Sequence, residues 1–327
     1  MNIDKCIWLQ DILDSINFKS LPHGIIINGP KGVGKKLLAR ALSEKIIANF
    51  DNELSDNHKN LLLKNNHPDF YFLDKEKLVL KDIKRNKVTG NWDEDKGFKD
   101  VLSFLNLTPS IAANKVVCMI NADTMNNIAQ NALLKSLEEP SANSYIIMTT
   151  SRSKSLAQTI YSRCQVINIP FISDPEIDTW LKSIGISDYN SMNFPSYATP
   201  FSIVEDIQND KQNSYKDFLS IIIDFISVKI DQSQAIKFIN ELDVSFITKI
   251  NYLVEFLKIL LRSNIIKEEL SGSYKYFNKV KFSNLKISNI IMDLNNLRYE
   301  FFEVSSINES HVLNYFCSEL KQSITQQ

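Results

Sequence analysis

Residues 29–36 read GPKGVGKK, placed between the short apolar run GIIING and the helix-periodic stretch KKLLARALSEKIIANF. A phosphate-binding loop has the form G-x-x-x-x-G-K-[ST], and this segment matches it at Gly29, Gly34 and Lys35. Glycines allow backbone N–H groups to turn inward, and the following helix adds its positive end. Gly29, Gly32, Gly34 and Lys35 are therefore the candidate nucleotide-binding residues. The eighth position breaks the pattern. It should carry a hydroxyl that coordinates the Mg²⁺ between β- and γ-phosphates, and it carries Lys36, whose ammonium cannot ligate a cation. Two readings follow: an ATPase with an unusual loop, or a fold that has kept the loop without the reaction.

Outward from the loop, apolar runs and helical patterns alternate. KVVCMINAD reads as a second buried strand, SYIIMTTS and QVINIP as a third and a fourth strand, and NNIAQNALLKSLEEP and SLAQTIYSRC as helices between them. Such alternation predicts an α/β domain, a parallel sheet with helices on both faces, and puts the loop where that fold binds phosphate. Hydrolysis needs more than a loop. The strand VVCMI should end in an Asp for the metal and a Glu to orient water, and it is followed by Asn121 and Ala122. Asp123 comes one or two places late, on a strand whose faces alternate, and is not expected to substitute. Lys36, Asn121 and Ala122 are three separate departures, and together they argue against hydrolysis. ATP or ADP binding at Gly29–Lys35 stays open.

The chain changes character after Pro200. Four of its eight glycines lie between Gly24 and Gly34, and no proline occurs in the last 127 residues. Punctuation that sparse predicts helices. Phe218, Ile221, Ile222, Phe225 and Ile226 fall on one helical face. Ile250, Leu253, Val254, Leu257, Leu260 and Leu261 fall on another, and both read as bundle core. A net charge of −1 argues against a dominant electrostatic hold on nucleic acid, while a local patch stays open. No stretch approaches the ~20 apolar residues of a membrane span, so no membrane association is expected. MNIDKCIWLQDIL lacks the plan of a secretory signal, and Cys6, Cys118, Cys164 and Cys317 form no C-x-x-C pair. A reduced, cytoplasmic protein without a zinc site is the expectation.

Arg163, in SRC at residues 162–164, closes the helical stretch before the last strand pattern. Alone it reads equally as a helix-end cation or as an arginine that reaches a neighbour's γ-phosphate. Taken together, GPKGVGKK, HPDF, KVVCMINADTMNNIAQNALLKSLEEP, IIMTTS and IYSRC resemble the delta-prime family of bacterial DNA polymerase III clamp-loader subunits. The resemblance covers roughly residues 5–205. Beyond it, only helical character and a final helix like INESHVLNYFCSEL match. It implies a RecA-like AAA+ domain over 1–169, a small helical lid over 170–206, and an all-α collar over 207–327 that joins subunits into a ring.

The implied function is a non-motor stator in clamp loading during DNA replication. Such a subunit has no intrinsic ATPase and is part of a DNA-directed DNA polymerase, a nucleotidyltransferase, by association. Arg163 would act in trans on a gamma/tau ATPase site. Implied partners are gamma/tau and delta, with the sliding clamp and primed DNA reached through the complex. The rival reading is an active AAA+ ATPase, either a gamma/tau-like motor or a helicase loader. Two departures from the family stand out. Its four-cysteine zinc module has no cysteine here, leaving His58 and His67, so the segment is expected to be metal-free. Phe201 stands near the position of a nucleotide-sensing arginine. The charged stretch 81–99 reads as a solvated loop, with DNA contact as the alternative.

Overall fold

The computed structural model describes residues 3–50, 55–84, 100–300 and 308–324. It forms two compact units, Met1–Gly185 with Thr199–Ser202, and Ile186–Ala198 with Ile203–Gln327. The first unit is built on a sheet of five parallel strands. In chain order its elements are α1 (Ile7–Ser15), β1 (Gly24–Asn28), α2 (Lys35–Ile47), α3 (Asp56–Leu63), β2 (Phe70–Asp74) and α4 (Leu80–Ile83). There follow α5 (Val101–Leu105), β3 (Lys115–Ile120), α6 (Asn127–Glu138), β4 (Ser144–Thr150), α7 (Gln158–Tyr161), β5 (Gln165–Asn168) and α8 (Asp174–Ser183).

The strands lie in the order β2-β3-β4-β1-β5, which puts β1 between β4 and β5. β3 is buried at all six residues, which requires cover on both faces, as a parallel sheet in an α/β domain has. Alternation on β1 serves that geometry: Ile26 joins the core with Val117, Met119, Leu133 and Met148, while Ile25 and Ile27 point the other way and are equally buried. α2 contributes Leu38, Leu42 and Ile46, all fully buried at four-residue spacing.

One strand is new here, and two sequence expectations change. The segment 70–74 is a strand that the pattern did not announce. SLAQTIYSRC supplies only the single turn Gln158–Tyr161, because Ala157 is extended and its N–H is taken by the Gln130 side chain at 2.7 Å. The charged stretch 81–99 is not solvated throughout. Asp82 and Ile83 are buried in α4, where the Asp82 carboxylate accepts from the Val79 N–H (3.0 Å) and from Lys75 (2.6 Å). Residues 85–99 lie outside the described residues.

The second unit is helical. α9 (Pro200–Gln208) continues into it from the first, and α10 (Ser214–Ile226), α11 (Gln232–Glu241), α12 (Phe246–Ile266), α13 (Asn284–Glu300) and α14 (Glu309–Ser323) complete it. Its core joins Phe218, Ile222, Ile250, Leu253, Leu257, Leu313 and Phe316, all fully buried. The stripes read from the sequence in α10 and α12 are the core faces of those helices. No helix among the described residues is long and apolar enough to cross a membrane.

Candidate functional site

The loop 29–34 runs from the end of β1 to the start of α2, which it caps through Gly34. Two positions need glycine. Gly32 and Gly34 have φ of +80° and +97°, and a Cβ on Gly32 would lie 2.2 Å from Thr199 Oγ1. On Gly34 it would lie 2.7 Å from Leu9 Cδ1 and 3.0 Å from a Phe201 ring carbon. The loop is therefore packed from outside by its own chain. Thr199 Oγ1 donates to Lys31 O (2.8 Å), and the Phe201 N–H donates to Gly32 O (2.9 Å). Phe201 lies tilted against Trp180, which meets Trp8 edge-on, and Trp8 Nε1 donates to Val33 O at 3.0 Å. None of Trp8, Trp180 and Thr199 was marked by the sequence. Thr199 reaches the loop across 168 residues of chain and Trp8 across 25.

Two of the three lysines in this stretch, Lys35 and Lys36, are engaged internally, while Lys31 is exposed. Lys35 is buried, and its Nζ donates to the loop's own carbonyls, Gly29 O at 2.7 Å and Pro30 O at 2.6 Å. Burial brings its pKa down to about 8, against the pull of the Asp123 carboxylate and with a push from Lys31. Lys36 pairs with Asp74 at the end of β2 and lies 5.5 Å from the centre of the Phe72 ring. The position that should hold Mg²⁺ through a hydroxyl thus holds a cation with its own counter-ion.

The end of β3 is equally committed. Asn121 donates from its side chain to Lys75 O (3.1 Å) and from its backbone to Thr149 Oγ1 (3.1 Å), and Ala122 is fully buried. Asp123 sits in the following 3₁₀ turn, where Arg152 reaches its carboxylate at 3.4 Å and its main-chain oxygen at 2.6 Å. The donor set that holds a metal–nucleotide is not assembled: the hydroxyl is missing, and Asp74 and Asp123 each face a cation. These residues do not fit a hydrolytic Mg²⁺–ATP site.

His58 and His67 do come together. His67 Nδ1 accepts the Asp69 N–H (3.1 Å), which makes its Nε2 the donor to His58 Nδ1 at 2.9 Å. No group of three or more His, Cys, Asp or Glu suited to a metal ion occurs among the described residues. Asp69 has a different task. Its carboxylate accepts from three successive N–H groups, Ser110 (2.6 Å), Ile111 (2.8 Å) and Ala112 (2.8 Å), and so fixes the approach to β3.

Arg163 lies elsewhere on the same unit. It precedes β5, which runs parallel to β1 with Ile25 opposite Gln165 and Asn28 opposite Asn168. Arg163 is thus at the N-terminal edge of the sheet and the loop at the C-terminal edge, a strand length apart, roughly 13–17 Å. An arginine placed there does not serve its own loop. Its side chain is 34% exposed. Nη1 donates to Thr159 O (2.8 Å) and Ser162 Oγ (3.2 Å), and Nη2 lies 2.7 Å from Glu138 Oε1.

Residues 7–173, about half of the chain, match the family model described as DNA polymerase III, delta subunit. A relative from Haemophilus influenzae named DNA polymerase III subunit delta' is 34% identical over 164 residues, 49% of this chain and 46% of that protein. One of the same name from Buchnera aphidicola subsp. Schizaphis graminum is 26% identical over 313 residues, 90% of this chain and 89% of that one. The chain spans about half the length of the Haemophilus relative it matches. A solved gamma-subunit-related protein from Thermotoga maritima covers 98% of this chain and 99% of its own at 15% identity, with a TM-score of 0.43. By the match over residues 7–173, which contains both the loop and Arg163, the chain belongs to this DNA polymerase III delta-subunit family, alongside relatives named subunit delta'.

Proposed function

We propose that this chain is the non-motor, delta-prime-type subunit of a bacterial DNA polymerase III clamp loader. In this reading it sits in the cytoplasm beside a gamma/tau ATPase subunit and the delta subunit. It supplies Arg163 in trans to the gamma/tau ATP site while the complex loads a sliding clamp onto primed DNA. The observation that carries the reading is the internal use of two of the loop's three lysines: Lys35 bonds its own loop's carbonyls and Lys36 pairs with Asp74. A loop so engaged serves as a structural turn. The chemistry then belongs to a neighbour, and this chain's part is charge stabilisation at the transferred phosphoryl group.

Arg163→Ala in a complex reconstituted with cognate gamma/tau and delta is the test. Trans arginines in well-studied GTPases are worth on the order of 10³–10⁵ in rate. A ring with several ATP sites loses only one arginine, so the bulk loss of clamp- and DNA-stimulated hydrolysis is expected to be smaller. Ring assembly and ATP binding should be unchanged, and Arg163→Lys should not rescue, because a point charge does not reproduce the planar fork. Clamp loading at the normal rate by the Arg163→Ala complex would refute the assignment.

A further inference from the structure

We propose that Glu138 is the positioning residue that presents Arg163 to its target, an inference that rests on the reading of Arg163 as an arginine acting in trans. Glu138 is the last residue of α6, and a carboxylate there faces the negative end of the helix dipole, where cations are favoured. A residue that breaks a local rule needs a compensating contact. The compensation here is Arg163, whose Nη2 lies 2.7 Å from Glu138 Oε1 and which is its ion-pair partner among the described residues. The segments LLKSLEEP and SRC, some twenty residues apart in the sequence, are thus joined by one ion pair.

The backbones behind this pair are fixed at a common point. Leu137, just before Glu138, and Cys164, just after Arg163, both pack against Gly24 at the start of β1. A Cβ on Gly24 would lie 2.7 Å from Cys164 Sγ, 2.9 Å from Leu137 Cδ2 and 3.3 Å from Arg163 O. Leu137 is buried, and burial pushes the Cys164 thiol up to about 12, so it stays protonated and acts as a small apolar filler. The spacing of Glu138 and Arg163 is therefore set by the sheet rather than by two independent side chains.

Donor accounting shows what the tether leaves free. A guanidinium has five N–H groups. Thr159 O and Ser162 Oγ take the two on Nη1, and Glu138 takes one on Nη2. Nε–H and the second Nη2–H have no partner among the described residues. Two donors on a held planar group suit a phosphoryl oxygen, and a side chain already held loses less rotamer freedom when its target arrives.

The test uses the reconstituted complex with Glu138→Ala, Glu138→Gln and the double variant, and with Arg163→Ala as reference. Glu138 is half-exposed, so Glu138→Ala should fold and assemble normally, with an unchanged melting profile. Loss of one preorganising contact is expected to lower clamp-stimulated kcat about two- to tenfold, with the KM for ATP unchanged. Glu138→Gln keeps an acceptor for Nη2 and should retain most of the rate. The double variant Arg163→Ala/Glu138→Ala should be no slower than Arg163→Ala alone. A normal rate for Glu138→Ala, or losses that add in the double variant, would overturn the role of Glu138 while leaving Arg163 standing. A normal rate for Arg163→Ala would remove the reading beneath it.

Discussion

At the scale of single residues, the glycines of the loop are packed by their own chain. Gly32→Ala would force an L side chain to φ of +80° and drive its Cβ into Thr199 Oγ1. A loss of about 1–3 kcal/mol is expected in urea unfolding, even though no phosphate is involved. Lys36→Ser restores the hydroxyl the motif calls for and is expected to give no ATP turnover, since Asn121 and Ala122 still supply neither metal ligand nor base. Its stability should change by no more than about 1 kcal/mol, because the Lys36–Asp74 pair is substantially exposed. Steady-state hydrolysis with Mg²⁺ and unfolding curves read both outcomes. The sequence showed that Lys36 was in the wrong place for metal chemistry. It did not show where Lys36 goes, because Asp74 is 38 residues away on a strand without a clear pattern.

β2 is edge-placed and half-exposed, with Phe70 and Leu73 buried, Tyr71 and Phe72 intermediate and Asp74 exposed, so neither an apolar run nor strict alternation announced it. What places it is Asp69, whose carboxylate gathers three backbone N–H groups of the segment leading into β3. Asp69→Ala strands those donors, and a loss of about 1–3 kcal/mol per unsatisfied group sets the scale. Stabilities from denaturant curves would check it. The His58–His67 contact adds a pH dependence. Burial, helped by His58 and opposed by Asp69, holds His67 below its ordinary value of 6.5. The unfolded chain therefore binds more protons over that interval, so the His67 contribution is complete above about pH 6.5 and fades as pH falls through the folded-state value. Between about pH 7.5 and 5.5 the wild-type chain should lose more stability than His67→Gln, measured as the shift in urea midpoint. Equal losses would mean that His67 does not titrate in this way.

For the whole molecule, the helical half was the most legible, because a stretch with one glycine and no proline offers few alternatives to helix and its apolar spacing selects the buried faces. The strand–loop–helix framework was legible for a different reason: GIIING and KVVCMINAD are short apolar runs, β-branched and bounded by turn residues, between helix-periodic stretches. The cover over the loop was legible only at Phe201, through its place near a nucleotide-sensing position; Thr199 and Trp8 come back to the loop only through the fold. A ligand that binds only the folded state stabilises it by RT ln(1 + [L]/Kd), about 2.7 kcal/mol at a hundredfold excess over Kd. For a unit of this size such a gain moves the melting temperature by several degrees. A competent P-loop with a micromolar Kd would show that shift in millimolar Mg²⁺–ATP. Here a bound phosphate would have to displace Lys35 from Gly29 O and Pro30 O and accommodate Thr199 against Gly32, and breaking those hydrogen bonds offsets the gain. The melting profile of the isolated chain should be the same with and without millimolar Mg²⁺–ATP, and Lys35→Ala should respond no differently. A nucleotide-dependent rise of several degrees that disappears in Lys35→Ala would show a working site, and turnover alongside it would return the chain to the class of motor ATPases.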